Sequence, residues 1–79
     1  PKYPSQELRD GVGGSVMLLV TIDANGTVLN VSVKKSSRNR NLDRAAMDAA
    51  RRWRFNPGIR NGQKVGGDVL VPVNFTPQS

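Results

Sequence analysis

The sequence contains no cysteine and no histidine. Without cysteine there is no disulfide, no thiolate metal site and no thiol nucleophile. Without histidine the commonest general base and the commonest metal ligand are both missing. The six acids, Glu7, Asp10, Asp23, Asp43, Asp48 and Asp68, are scattered without ligand-like spacing. No cofactor or metal is therefore expected, and enzymatic chemistry has little to work with. Only Tyr3, Trp53, Phe55 and Phe75 are aromatic. A core claims at least two of them, which leaves too few for a nucleic-acid stacking platform. No apolar run approaches the roughly 18–20 residues that span a membrane.

What is present is a basic chain of 79 residues with net charge +6. That length suits one small domain, residues 1–79, with a modest core. The charge points to an acidic partner: nucleic acid, an anionic membrane surface, or an acidic protein or polymer. A solvated basic surface explains it equally well. The chain begins at Pro1 rather than Met. It is therefore expected to be a piece of something longer, with any signal, anchor or linker on the missing part.

Local patterns divide the chain into elements. Pro4 or Ser5 can open a short helix through Asp10, with Gly11 as its left-handed stop and Gly13-Gly14 as a joint. From Val16 to Asp23, Val16, Leu18, Val20 and Ile22 share one face, and Met17, Leu19 and Thr21 the other, which predicts a strand. Ala24-Asn25-Gly26 is a turn. Val28 to Lys34 returns as a second strand, and the phase of Val28 against Val31 and Val33 predicts a bulge. Residues 36–41 form a polar loop ending in Asn41, the expected N-cap. Leu42, Ala45, Ala46, Ala49, Ala50 and Trp53 then recur as one helical stripe, which Pro57-Gly58 should end. Asn61-Gly62 turns the chain into a third strand, Val69 to Phe75. Pro72 interrupts it and cannot donate to a ladder, so this strand belongs at an edge.

Strands one and two form a hairpin, and the helix carries the chain to strand three beside strand one. The expected fold is α+β: a three-stranded antiparallel sheet in order 2-1-3, with the short N-terminal helix and the long helix on one face. Val16, Leu18, Val20, Ile22, Leu42, Trp53 and Phe55 are the expected core.

Several motifs resemble one family in order. PKYP is similar to its Tyr-Pro opening, and VTIDANGTVLNVSVKKSS to its hairpin ending in paired serines. NLDRAAMDAARRWRFNPG looks like its long helix with the Arg-x-Trp-Arg-aromatic-x-Pro exit, and VLVPVNF like its last strand. This is the TonB C-terminal domain family, and the resemblance covers nearly the whole chain. It implies the periplasmic domain of an inner-membrane-anchored transducer in a Gram-negative bacterium, driven by the ExbB–ExbD proton-motive-force motor through the missing N-terminal part. Such a domain binds the Ton box of outer-membrane transporters for siderophores, vitamin B12 or similar substrates. The Ton box adds to the last strand by β-augmentation, which draws affinity from main-chain bonds and demands little sequence.

The resemblance implies docking at Val69, Leu70, Val71, Pro72, Val73, Asn74 and Phe75, with Tyr3 and Pro4 as further contacts. A competing role for Tyr3 is to pin the first helix. The basic residues Arg38, Arg40, Arg51 and Arg52 either solvate the domain or attract acidic transporter loops or peptidoglycan. Met17, Leu19, Leu70 and Pro72 should share the sheet face away from the helices as an apolar patch, unless residues 58–67 or the C-terminal tail cover it. Free edges also invite strand swapping into a homodimer in truncated fragments. Two alternatives stand beside this reading: a basic nucleic-acid-binding module, and a TonB-like domain of a paralogue with another partner.

Overall fold

The computed structural model describes residues 2–77. Element order is α1 (Ser5–Arg9), β1 (Gly14–Ile22), β2 (Val28–Lys35), α2 (Arg40–Ala50), β3 (Gly58–Arg60), β4 (Gln63–Val65) and β5 (Gly67–Phe75). The main sheet is antiparallel in the order β2-β1-β5. The expected 2-1-3 arrangement is thus the observed one. β1 begins earlier than its alternation suggested, because Gly14 already pairs with Phe75. Gly13-Gly14 is therefore no loose joint. β5 likewise begins at Gly67, not at Val69.

Alternation along β1 decides which face is buried. Val16, Leu18 and Val20 are wholly buried and Ile22 nearly so, while Met17, Leu19 and Thr21 are half-buried on the other face. Val73 and Phe75 extend the buried face onto β5, and Val31 extends it onto β2. Two register shifts interrupt the β1–β2 ladder, one of them between Thr21 and Ile22 beside Val28. The extra residue there is Leu29, which the bulge leaves exposed. β1 and β5 pair through nine residues without a shift.

Helix α2 lies across β1 and β2, and drives Leu42, Ala46 and Ala50 into the core. Its N-cap is Asn39, where Asn41 was expected. Asn39 is extended (φ −125°, ψ 118°), and its side-chain oxygen accepts from the Leu42 N–H at 3.0 Å. Asn41 is already helical, and its amide turns to Glu7 at 3.0 Å. The far end also differs. The helix stops at Ala50 rather than running to Pro57-Gly58, and the N–H groups of Arg52 and Trp53 close a tight final turn on Ala49 and Ala50. The competing interaction is a bridge between Thr27 and Arg54, with the Phe55 N–H donating to Gly26 O at 2.9 Å. Extended backbone at residues 54–55 cannot also be helical. Gly26 makes this junction possible. It holds φ +82°, and a Cβ there would stand 1.7 Å from the Phe55 carbonyl oxygen.

Trp53 and Phe55 were expected in the core. Both are half-buried and pack at its margin, edge to face with ring centres 6.1 Å apart. Once α2 has ended, the stripe no longer carries Trp53 inward.

The paired serines hold the hairpin to α2. Ser36 Oγ, Ser37 Oγ (2.7 Å) and the Ser37 N–H (3.0 Å) all donate to the Asp43 carboxylate. Burial pushes this carboxyl up, but the hydrogen bonds from Ser36 and Ser37 outweigh it and hold its pKa below the usual aspartate value. A depressed folded-state pKa means that the unfolded chain binds the proton more readily. Asp43 therefore contributes stability above the unfolded-state value of about 4, and loses it as pH falls through the lower folded value. In denaturant titrations below pH 4, Asp43→Asn should flatten the acid-induced loss of stability. An acid limb identical to the parent's would remove Asp43 as its source.

A second hairpin, β3–β4, was not anticipated. Asn61 (φ 52°) and Gly62 (φ 78°) form its two-residue turn, and that turn was expected. The flanking strands have three residues each and no clear alternation, so their sequence carries no strand signal. The hairpin lengthens the molecule, whose extents are 49 × 18 × 18 Å.

Candidate partner-docking edge

Order β2-β1-β5 leaves one flank of β5 without a partner strand among the described residues. Pro72 sets the polarity of that flank. It lies opposite Met17 and has no N–H, so this pair cannot exchange ladder bonds. The neighbouring pairs, Val71 with Leu18 and Val73 with Val16, are then the hydrogen-bonded ones. In a strand the N–H and C=O of one residue point the same way and alternate along the chain. The backbone groups of Leu70 and Asn74 therefore point away from the sheet. Proline at this place also guards a free edge against indiscriminate pairing.

The side chains beside this edge are apolar on both faces. On the helix side Val69 and Val71 are half-buried and packed against the core, with Val73 and Phe75 buried beyond them. On the open side the ladder sets Leu19 opposite Leu70 and Met17 opposite Pro72, a block of four. Leu70 is 56% exposed. Hydrogen-bonded pairs bound the block at each end: Ser15 Oγ to Asn74 Oδ1 at 2.6 Å, and Thr21 Oγ1 to Asp68 Oδ1 at 2.7 Å. The expected patch is present. Residues 58–65 extend as the second hairpin, and Gln78 and Ser79 of the tail lie outside the described residues.

Tyr3 is occupied with packing. Its ring meets Phe75 edge-on with centres 5.2 Å apart, and its hydroxyl donates to Val12 O at 2.5 Å. It buttresses the C-terminal end of β5. Pro4 precedes α1 and, with Lys2, walls an open groove of about 350 Å³ against Arg44, Ala49 and Arg52 of the α2 region. That groove lies apart from the β5 edge.

The four arginines fall into two pairs. Arg38 and Arg40 stand at the N-terminal end of α2, and Arg51 and Arg52 at its C-terminal end. The eleven-residue helix that begins at Arg40 and ends just before Arg51 sets the two pairs roughly 16 Å apart. All four are exposed. Arg51 pairs with Asp48 at 2.7 Å, with both side chains more than half exposed, so the pair adds little stability.

Glu7 went unnoticed in the sequence. It is 7% exposed, and its Oε2 accepts from Asn41 Nδ2 at 3.0 Å and from Asn39 Nδ2 at 3.4 Å. It anchors α1 to the positive end of α2. No spacing rule pairs residues so far apart in the chain.

Among the described residues, no group of three or more His, Cys, Asp or Glu could hold a metal ion, and no helix is long and apolar enough to cross a membrane. Comparison with known proteins agrees with the geometry. The family model for the Gram-negative bacterial TonB protein C-terminal matches residues 1–77. Protein TonB of Xanthomonas campestris pv. campestris is 67% identical over 95% of this chain and 34% of its own length. Protein tonB2 of Pseudomonas aeruginosa is 40% identical over 95% of this chain and 28% of its own. The chain thus spans about a third of these relatives. A solved structure of the TonB2 protein from Vibrio anguillarum superposes with a TM-score of 0.74 at 34% identity, covering all of this chain and 76% of that one.

Proposed function

This chain belongs to the Gram-negative TonB protein C-terminal family, and from that membership we propose that it grips outer-membrane transporters by adding their Ton box to the free edge of β5. The family is one of energy transducers for transport, and its members are not known as enzymes. The finer reading is a periplasmic domain of an inner-membrane-anchored protein. It passes force from an ExbB–ExbD motor to a substrate-loaded transporter for siderophores, vitamin B12 or similar cargo.

One observation carries the docking claim: a nine-residue strand with a flank unpaired among the described residues, and a proline whose missing N–H faces outward. Main-chain pairing there supplies affinity while tolerating many partner sequences. The proline leaves one bond unmade, which suits a grip that must form and release. The apolar side chains on both faces receive the alternate side chains of the incoming strand.

Amide exchange of the free domain tests this. Leu70 and Asn74 should exchange fast, while Val71 and Val73 are protected by β1. A Ton-box peptide should slow Leu70 and Asn74 and leave the other two unchanged. Binding that leaves Leu70 and Asn74 unaltered would move the docking site off this edge.

A further inference from the structure

The free flank of β5 does not end where β5 ends. After α2 the chain runs along the outer edge of β2, where Thr27 pairs with Arg54 and Phe55 bonds to Gly26. It then crosses the end of the β1–β2 hairpin before forming β3. So β3 reaches β4 from the β1 side. Gly66, between β4 and β5, lies hard against the same end of β1: an added Cβ would stand 2.4 Å from the Ile22 carbonyl oxygen and 3.0 Å from Asp23 backbone. β4 therefore keeps its unpaired side on the same flank as β5.

Backbone polarity continues as well. Asn61 and Gly62 both have positive φ, the pattern of a two-residue type I′ turn. Such a turn is closed by a hydrogen-bonded pair, here Arg60 and Gln63. The next pair, Ile59 with Lys64, is not hydrogen-bonded. The N–H and C=O of Lys64 consequently point away from β3. From Gln63 to Phe75 the edge measures roughly 40 Å at about 3.3 Å per residue, most of the 49 Å length of the molecule.

This added stretch is strongly one-signed. Between Asp48 and Asp68 the chain has no acid, while it carries Arg51, Arg52, Arg54, Arg60 and Lys64. Arg60 and Lys64 are the charges of the hairpin, and both are exposed. A hairpin of two three-residue strands with Ile59 65% exposed also buries little of its own surface.

We infer that the docked strand continues past Gly66 onto β4, and that the partner segment carries acidic residues there, facing Arg60 and Lys64. The inference rests on the docking reading above and extends it from a strand-sized site to a longer one with a charged end. It assigns the partner a chemistry: an uncharged or apolar extended core with a carboxylate-rich flank on one side only.

Three kinds of peptide test it by calorimetry and amide exchange on the whole domain. One is a short uncharged Ton-box core; the second carries a Glu-rich extension at either its N- or its C-terminus; the third carries the same extensions with Gln. One of the two Glu extensions should bind about fivefold tighter than the core, the order expected of exposed ion pairs. It should also slow exchange at Lys64, which the core leaves fast. The gain should disappear at high salt and in the Arg60→Gln/Lys64→Gln double variant. That variant should bind the core as the parent does. If the core protects Leu70 and Asn74 but neither Glu extension adds affinity, the inference is overturned and the docking reading stands. Affinity gained without slower exchange at Lys64 overturns the strand extension. If no peptide protects Leu70 and Asn74, the docking reading falls and the inference with it.

Discussion

Leu70→Pro should leave the domain folded and weaken Ton-box peptide binding by about tenfold or more. The Leu70 N–H points away from β1, so the ladder loses no bond when proline replaces it. Val69 before it is already extended, as a residue preceding proline must be. The loss falls on the partner. The ring removes an outward donor and sets Cδ where the incoming carbonyl must approach. With Pro72, two outward positions in succession would then lack a donor. Leu70→Ala separates this from loss of the exposed side chain and should cost much less. Val71→Pro is the opposite control. Its N–H serves β1, so that variant should fail to fold. Peptide affinity of Leu70→Pro within twofold of the parent would show that the edge of β5 is not the grip.

Leu18→Ala should destabilise the domain by about 2–5 kcal/mol. Leu18 is wholly buried on the central strand, with Val33 on one side and Val71 on the other. It is among the largest fully buried side chains, as is Leu42 of α2. Its truncation leaves a void that strands paired on both sides cannot close. A domain of this size has roughly 4–12 kcal/mol of total stability, at about 0.05–0.15 kcal/mol per residue. The variant should therefore lose a large share of its denaturation midpoint, and could unfold outright. A midpoint shifted by less than the equivalent of about 1 kcal/mol would contradict the core described above. Trp53→Ala should cost less than removal of a fully buried aromatic, since the ring is half-buried at the margin.

The two sites differ in how far they could be read from the sequence. The buried face of β1 was legible because a strand has period two, and Val16, Leu18, Val20 and Ile22 occupy every second place. The stripe of α2 was legible at Leu42, Ala46 and Ala50 for the corresponding reason at period 3.6. Pro72 alone placed β5 at an edge, because a missing donor excludes a central strand whatever surrounds it. Together with the hairpin and the right-handed crossover through α2, these led to the order 2-1-3 and the apolar block of Met17, Leu19, Leu70 and Pro72.

Other features depend on contacts between segments distant in the chain. Asn39 and Asn41 are both good caps locally. The fold takes Asn39, whose extended backbone lets its side-chain oxygen accept from Leu42, while Glu7 of another helix accepts from the side-chain amides of both. The stripe pointed Trp53 inward, but Arg54 and Phe55 pair with Thr27 and Gly26, and this ends α2 first. Arg38, Arg40, Arg51 and Arg52 are close in sequence, yet they stand in two pairs at opposite ends of α2. The β3–β4 hairpin gave only its turn away, since three-residue strands are too short for a period to show. Periodicity and proline thus determined by themselves which faces are buried and which strand is free, because both act through the local backbone. Where each element stops, how the charges are distributed and how far the free edge runs were decided only in the tertiary structure, where backbone groups far apart in the chain compete for the same hydrogen-bond partners.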